Sequence, residues 1–278
     1  MVRAFLVLML LLPGAAAGPS LTSRIEEGVK RGAAFLLAQY DRGEAWGGAL
    51  GTGTYGNVGR PYPYNAGPTA LTCYALLKAG VPREDKTLRR AYGFLRSKYR
   101  TPGVTYELAV LLLAVAERGG AKASPDFRRG AYREQRTDHR FRKPKDTPFP
   151  TSDWTWMADL AAKLVRFQAR NGGWRYYPND FHSGGRADVS STPCPLRHLS
   201  TASRSAYAVP EEVFKRARGF LLKQQAADGP AVPRGIHVAG TEPGTLDRAR
   251  GFPYIADSDI PPYTRISGGM TAAGVSSL

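Results

Sequence analysis

Two stretches of this chain have no polar face, and that narrows its fold class more than anything else in it. Residues 68–79 read Pro-Thr-Ala-Leu-Thr-Cys-Tyr-Ala-Leu-Leu-Lys-Ala and stop at Gly80. Residues 104–117 read Val-Thr-Tyr-Glu-Leu-Ala-Val-Leu-Leu-Leu-Ala-Val-Ala-Glu and stop at Gly119 and Gly120. A helix that is apolar nearly all round must be covered by protein on every side. Both runs are too short to cross a bilayer, which takes about 20 apolar residues.

Around these runs lie amphipathic segments. In 25–40, Ile25, Val29, Ala33, Leu36 and Tyr40 recur at helical spacing opposite Glu26, Glu27, Lys30 and Arg31, and Ser23 with Glu26 forms a capping box. In 86–99 the stripe is Leu88, Tyr92, Leu95 and Tyr99; in 154–170 it is Met157, Leu160, Leu164 and Phe167. In 211–226 it is Phe214, Ala217, Leu221 and Gln224, entered through Pro210 at the first helical position. Amphipathic starts separated by about 55–70 residues describe a repeated helical pair with variable connections. The alternation predicts an all-α chain of two layers, apolar helices inside and two-faced helices outside. No strand-like alternation of useful length accompanies it.

The first 17 residues follow a different logic. Arg3, the apolar run Ala4 to Leu12, a Pro13-Gly14 break and small residues at Ala15 and Ala17 spell a secretory leader cleaved near Ala17. The expectation is a secreted or periplasmic protein over residues 18–278, with no transmembrane segment once the leader is gone. In an oxidising compartment Cys73 and Cys194, the 2 cysteines of the chain, either pair or serve as small buried apolar residues. Two cysteines exclude a disulfide scaffold and any multi-cysteine metal site.

Three pieces of the repeat carry a resemblance. They are the run from Val29 to Gln39, the string Gly67-Pro68-Thr69-Ala70-Leu71, and Gln168-Ala169-Arg170-Asn171-Gly172-Gly173-Trp174. They resemble the squalene cyclase/prenyltransferase repeat of the terpenoid cyclase and protein prenyltransferase α/α-toroid superfamily, nearest to exported bacterial members of unassigned activity. The Gln-x3-Gly-x-Trp string at 168–174 is the most specific of the three. Gln39 to Trp46, with Gly43, repeats it with one extra residue. The resemblance implies an α/α toroid of helical hairpins, with about four pairs and so an open or incomplete ring. It also implies a hydrophobic, isoprenoid-like or lipid ligand, with Gln168 and Trp174 clamping a helix end.

Two segments depart from that pattern. Asp188 to Thr192 fits the repeat, but Pro193, Pro195, Arg197 and His198 fall where an apolar inner helix is due. Proline inside a helix costs about 3 kcal/mol, so 193–198 reads as a broken helix or a local sequence error. Residues 268–278 resemble the first turns of a further inner helix, which leaves a fragment, an open arc or a chain completed by pairing as the readings.

Candidate chemistry is thin. The nearest string to a cyclase D-x-D-D acid, Asp257-Ser258-Asp259-Ile260, lacks the last carboxylate. Asp188, Cys194 and His198 supply zinc-ligand types without the spacing a prenyltransferase uses, and no cofactor is expected. Asp153 and Asp188 are the candidate catalytic carboxylates of a carbohydrate-active (α/α) barrel, or plain helix-start caps. Nucleophile-elbow, zincin and Walker motifs are missing. Trp46, Tyr64, Trp154, Trp174 and Tyr176 are the candidate ligand-contacting aromatics, which suit an isoprenoid or a stacked sugar and equally suit loop packing. Tyr55 and Tyr62 cluster with the first two.

The formal net charge of +16 peaks locally in 122–146, with nine Lys/Arg against four acids. This is a long inter-repeat loop, continuing to 150, that suits an anionic surface or plain solvation. Nucleic acid is a poor match for an exported chain without a binding motif. Three readings of function follow: a hydrophobic-ligand or lipid binder on the toroid scaffold, a non-catalytic cell-surface interaction module, and a carbohydrate-active enzyme. Whether the chain is an enzyme stays open.

Overall fold

A computed structural model describes residues 20–40, 66–120, 150–178, 187–204, 207–233, 246–248, 250–255 and 265–278. The leader 1–17, Trp46, Tyr55, Tyr62, Tyr64, the basic segment 122–146 and Asp257 to Asp259 lie outside the described residues.

The described chain is all-α in character. Its helices are α1 (Leu21–Tyr40), α2 (Ala66–Lys78), α3 (Lys86–Lys98), α4 (Thr105–Arg118), α5 (Thr151–Arg166), α6 (Pro193–Arg204), α7 (Glu211–Gln224) and α8 (Gly268–Val275). One antiparallel pair, β1 (Ala231–Pro233) with β2 (Leu246–Arg248), is too short to leave an alternation in the sequence. All six helices expected from periodicity form, each with both ends within four residues of the reading. α1 begins earlier than expected, because Ser20 is its cap: the Ser23 amide donates to Ser20 Oγ at 3.1 Å. Ser23 therefore sits in the first turn, and the capping box with Glu26 is not formed. Pro210 is likewise the residue before α7 rather than its first, with extended backbone at φ −57° and ψ 133°.

α4 is the centre. It packs on α2, α5 and α6, and Tyr92 of α3 donates its hydroxyl to Ala114 O at 2.8 Å. Leu108, Ala109, Leu111, Leu112, Ala114, Val115 and Ala116 are all fully buried, as a helix without a polar face requires. Its one acid in the first turn, Glu107, accepts from the Gly67 amide at 3.1 Å. A carboxylate at the start of α2 satisfies an amide that has no partner within its own helix. Burial nevertheless pushes the Glu107 carboxyl above its ordinary range, against the lowering by the Gly67 and Ala66 amides.

Two expectations need correction. α2 is covered on its α3 and α4 sides but open on another, where Leu71 is 53% exposed. α1 puts its stripe largely into solvent: Ile25 is 57% exposed, and only Tyr40 is buried. The stripe specifies a two-faced helix but not where its partner stops. Here only Ala33, Leu36, Leu37 and Tyr40, near the C-terminal end, reach the core.

The third correction concerns α6. Prolines 193 and 195 do not break it, because the helix starts at Pro193 and both rings sit in its first turn. The first amides of a helix have no intrahelical acceptor, so a residue without an N–H loses nothing there. Leu196, Leu199 and Ala202 face inward, while Arg197 is exposed and His198 half-buried. The expected all-round apolar helix is instead amphipathic.

Candidate functional site

The Gln168–Trp174 string folds as a clamp. The Gln168 amide donates to Gly172 O at 2.8 Å and to Val213 O at 2.9 Å, joining the loop after α5 to the start of α7. Trp174 is fully buried, and its indole N–H donates to Leu164 O at 2.9 Å, one of the last carbonyls of α5. Gly172 stands at φ +98°, and a Cβ there would lie 2.2 Å from Arg216 O. Only glycine supplies both the conformation and the space.

The clamp ends on Asp188. Its amide donates to Trp174 O at 3.1 Å, and its fully buried carboxylate accepts from Arg175 Nη1 at 2.7 Å, Ser190 Oγ at 2.6 Å and the Ser191 amide at 2.5 Å. Three tyrosines gather beside it. Tyr106 donates to Ser190 O at 2.8 Å, its ring lies 5.5 Å from that of Tyr176, and the Tyr176 and Tyr254 hydroxyls are 2.9 Å apart. Burial raises the Tyr106 and Tyr254 hydroxyls above the ordinary phenol range.

Asp153, in the first turn of α5, is held between Arg96 of α3 and Arg118 of α4. Those guanidiniums lie over the Trp156 and Tyr92 rings at 4.7 and 4.5 Å. This carboxylate ties three helices together. Of the aromatics singled out from sequence, Trp154 and Trp174 pack in the core, and Tyr176 is half-exposed at the edge of the tyrosine group.

The zinc-type trio is not assembled. Cys194 Sγ lies 3.6 Å from His198 Nδ1, one helical turn apart on α6, while Asp188 is committed to Arg175 and the serines. Among the described residues no group of three or more His, Cys, Asp or Glu side chains gathers to hold a metal. Both cysteines are free thiols, Cys73 buried and Cys194 half-buried. Burial pushes the Cys194 thiol up to about 12, the opposite of what a nucleophile needs. Burial also lowers His198 to about 4, helped by the Arg197 charge and opposed by a hydrogen bond to the Ala109 backbone.

A neutral folded His198 has a pH consequence. The unfolded imidazole takes up a proton near its ordinary pKa of about 6.5 and the folded one only near 4. The stability it contributes is therefore present above about pH 6.5 and lost as the pH falls toward 4. Between pH 7 and pH 5 the loss is about 2 kcal/mol. Urea unfolding at the two pH values, compared with His198→Gln, should show the wild type losing about that much more than the variant. Equal losses would mean the imidazole is solvated in the fold.

A cleft of ligand size lies among the helices. It holds about 650 Å³ between α2, α4, α6, α7 and the residues after α8, within the ~300–1,000 Å³ of small-molecule sites. Tyr74, Leu113, Leu196 and Phe214 give it apolar walls, and His198 lies among them. Its lining also includes Arg197 and Arg204 of α6 with Lys215 and Arg218 of α7. Sequence reading took Arg197 only as a misfit in an apolar helix and did not single out Arg204, Lys215 or Arg218. The signal was present: Arg197 and Arg204 are seven apart, Lys215 and Arg218 three apart, so each pair shares a helix face. That the two faces line one cleft is a tertiary fact.

The chain matches no family model, no curated protein and no solved structure.

Proposed function

We propose that this chain is an exported α/α-toroid protein of squalene cyclase/prenyltransferase-repeat type that binds a hydrophobic ligand in the cleft between α2, α4, α6 and α7. The observation that carries the reading is the cleft itself, about 650 Å³ with Tyr74, Leu113, Leu196 and Phe214 on its walls. The toroid arrangement is supported by α4 packing on both α2 and α6, by α3 and α5 packing against this row, and by the Gln168–Trp174 clamp at the end of α5. Export rests on the leader read at 1–17; no helix among the described residues is long and apolar enough to cross a membrane. Catalysis by Asp153 and Asp188 has less support, since both carboxylates are buried in ion pairs with arginine. A second reading, an interaction module, is favoured by the Leu21, Ile25 and Val29 stripe that α1 leaves exposed.

Titration of the folded chain with a neutral apolar fluorophore, N-phenyl-1-naphthylamine, tests the reading. Saturable binding of one molecule per chain is expected. Leu113→Trp, which fills the cleft from a half-buried position on α4, should weaken it about 10-fold or more with the melting temperature maintained. Failure to saturate, or the same affinity in the filled variant, would overturn it.

A further inference from the structure

The cleft is two-natured, and the second half of its character is not explained by an apolar ligand. Arg197, Arg204, Lys215 and Arg218 line it with a single acidic side chain, Glu211. Glu211 is taken by Lys215 at 3.2 Å, one turn away, and both side chains are more than half exposed. Such a pair is loose and screened, and it leaves three guanidiniums in formal excess. Arg204 is held in place on its own helix, Nη1 on Ser200 Oγ at 2.9 Å and Nη2 on Thr201 Oγ1 at 3.1 Å. Arg197 and Arg218 form no ion pair among the described residues. Like charges lining one cleft repel one another, and an oxyanion relieves that repulsion while accepting the forked donors.

The rest of the lining has the opposite character. Leu113, Leu196, Phe214 and the Tyr74 ring are apolar, and His198 in the same lining stays neutral at working pH because burial disfavours its charge. A bare phosphate or sugar phosphate would leave those walls against water. A neutral hydrocarbon would leave the guanidiniums unanswered. One molecule that satisfies both carries an apolar chain and an acidic head.

We propose that the cleft is a site for a single acidic amphiphile, its chain on Tyr74, Leu113, Leu196 and Phe214 and its carboxylate or phosphate head held by Arg197, Arg204 and Arg218. This rests on the hydrophobic-ligand reading above and specifies the ligand class of the same site.

The test compares four probes on the full chain by isothermal titration at fixed moderate salt: decyl phosphate, decanoate, decanol and inorganic phosphate. One or both acidic amphiphiles should bind about 10-fold or more tighter than decanol, and inorganic phosphate weaker than either. Which acid binds tighter identifies the head group. The double variant Arg197→Gln with Arg218→Gln should bring the ratio of acidic to neutral binding close to unity while decanol affinity holds. Removing two charges outside the cleft, Arg24→Gln with Arg31→Gln on α1, should leave the ratio unchanged. Equal binding of decanol and the acids would overturn the charge assignment and keep the hydrophobic reading. Phosphate matching decyl phosphate would overturn the amphiphile. No binding by any probe would overturn both.

Discussion

Asp188→Ala is expected to cost the fold about 3–5 kcal/mol, the range for breaking a buried ion pair from one side. The carboxylate is fully buried and gathers Arg175, both serine hydroxyls and the Ser191 amide. Its removal takes the counter-charge from a guanidinium whose side chain is itself only 18% exposed. It also frees the turn from Asp188 to Thr192 that sets the start of α6. A simple helix-start cap would be worth about 1 kcal/mol, so the size of the effect separates the two roles. Asp188→Asn restores the size and one acceptor but not the charge, and should recover only part of the loss. Midpoints of urea unfolding with unchanged slope are the measurement. A loss near 1 kcal/mol in both variants would reduce Asp188 to a cap.

Gly172→Ala should destabilise by about 3 kcal/mol or more, for a single methyl group. Two costs add at this position. Positive φ, +98° here, disfavours any side chain by roughly 1–2 kcal/mol. The new carbon would then stand 2.2 Å from Arg216 O, a backbone atom of α7 that moves only if the loop or helix moves. The Gln168 bonds to Gly172 O and Val213 O span this same contact and would be strained with it. Gly93 in α3 and Gly219 in α7 are the matched controls. A Cβ at either meets nothing within 4 Å, so alanine there should stabilise by about 0.5–1 kcal/mol. Thermal melts of the three variants give opposite signs if the clamp is as tight as the geometry says.

Periodicity carried most of the helices because each is decided locally. α3, α5 and α7 show the apolar stripe and charged face that their burial follows, and α4 shows the missing polar face that its enclosure follows. The clamp was legible in part because two of its bonds, Gln168 to Gly172 O and Trp174 to Leu164 O, join groups close in the chain, whereas its reach to Val213 O on α7 was not. α6 was not, because its reading turned on where it starts. Two prolines are harmful inside a helix and harmless in its first turn, and the start is set by Thr192, whose hydroxyl binds Asp188 O and the Trp174 amide at 2.8 and 3.0 Å. The cationic lining of the cleft was illegible for a similar reason. Each helix displays its cations plainly, but that both helices line one cleft is set by the tertiary arrangement. Asp153 shows the same limit, since Arg96 and Arg118 come from two other helices.

The enclosure of α4 by α2, α5 and α6, with Tyr92 of α3 on its backbone, has a consequence for how the molecule comes apart. A rod that cannot show any side to water has no independent existence once a neighbour leaves. Its surroundings therefore share one fate: loosening α2, α5 or α6 wets the same greasy axle, and the helices around that axle behave as one indivisible body.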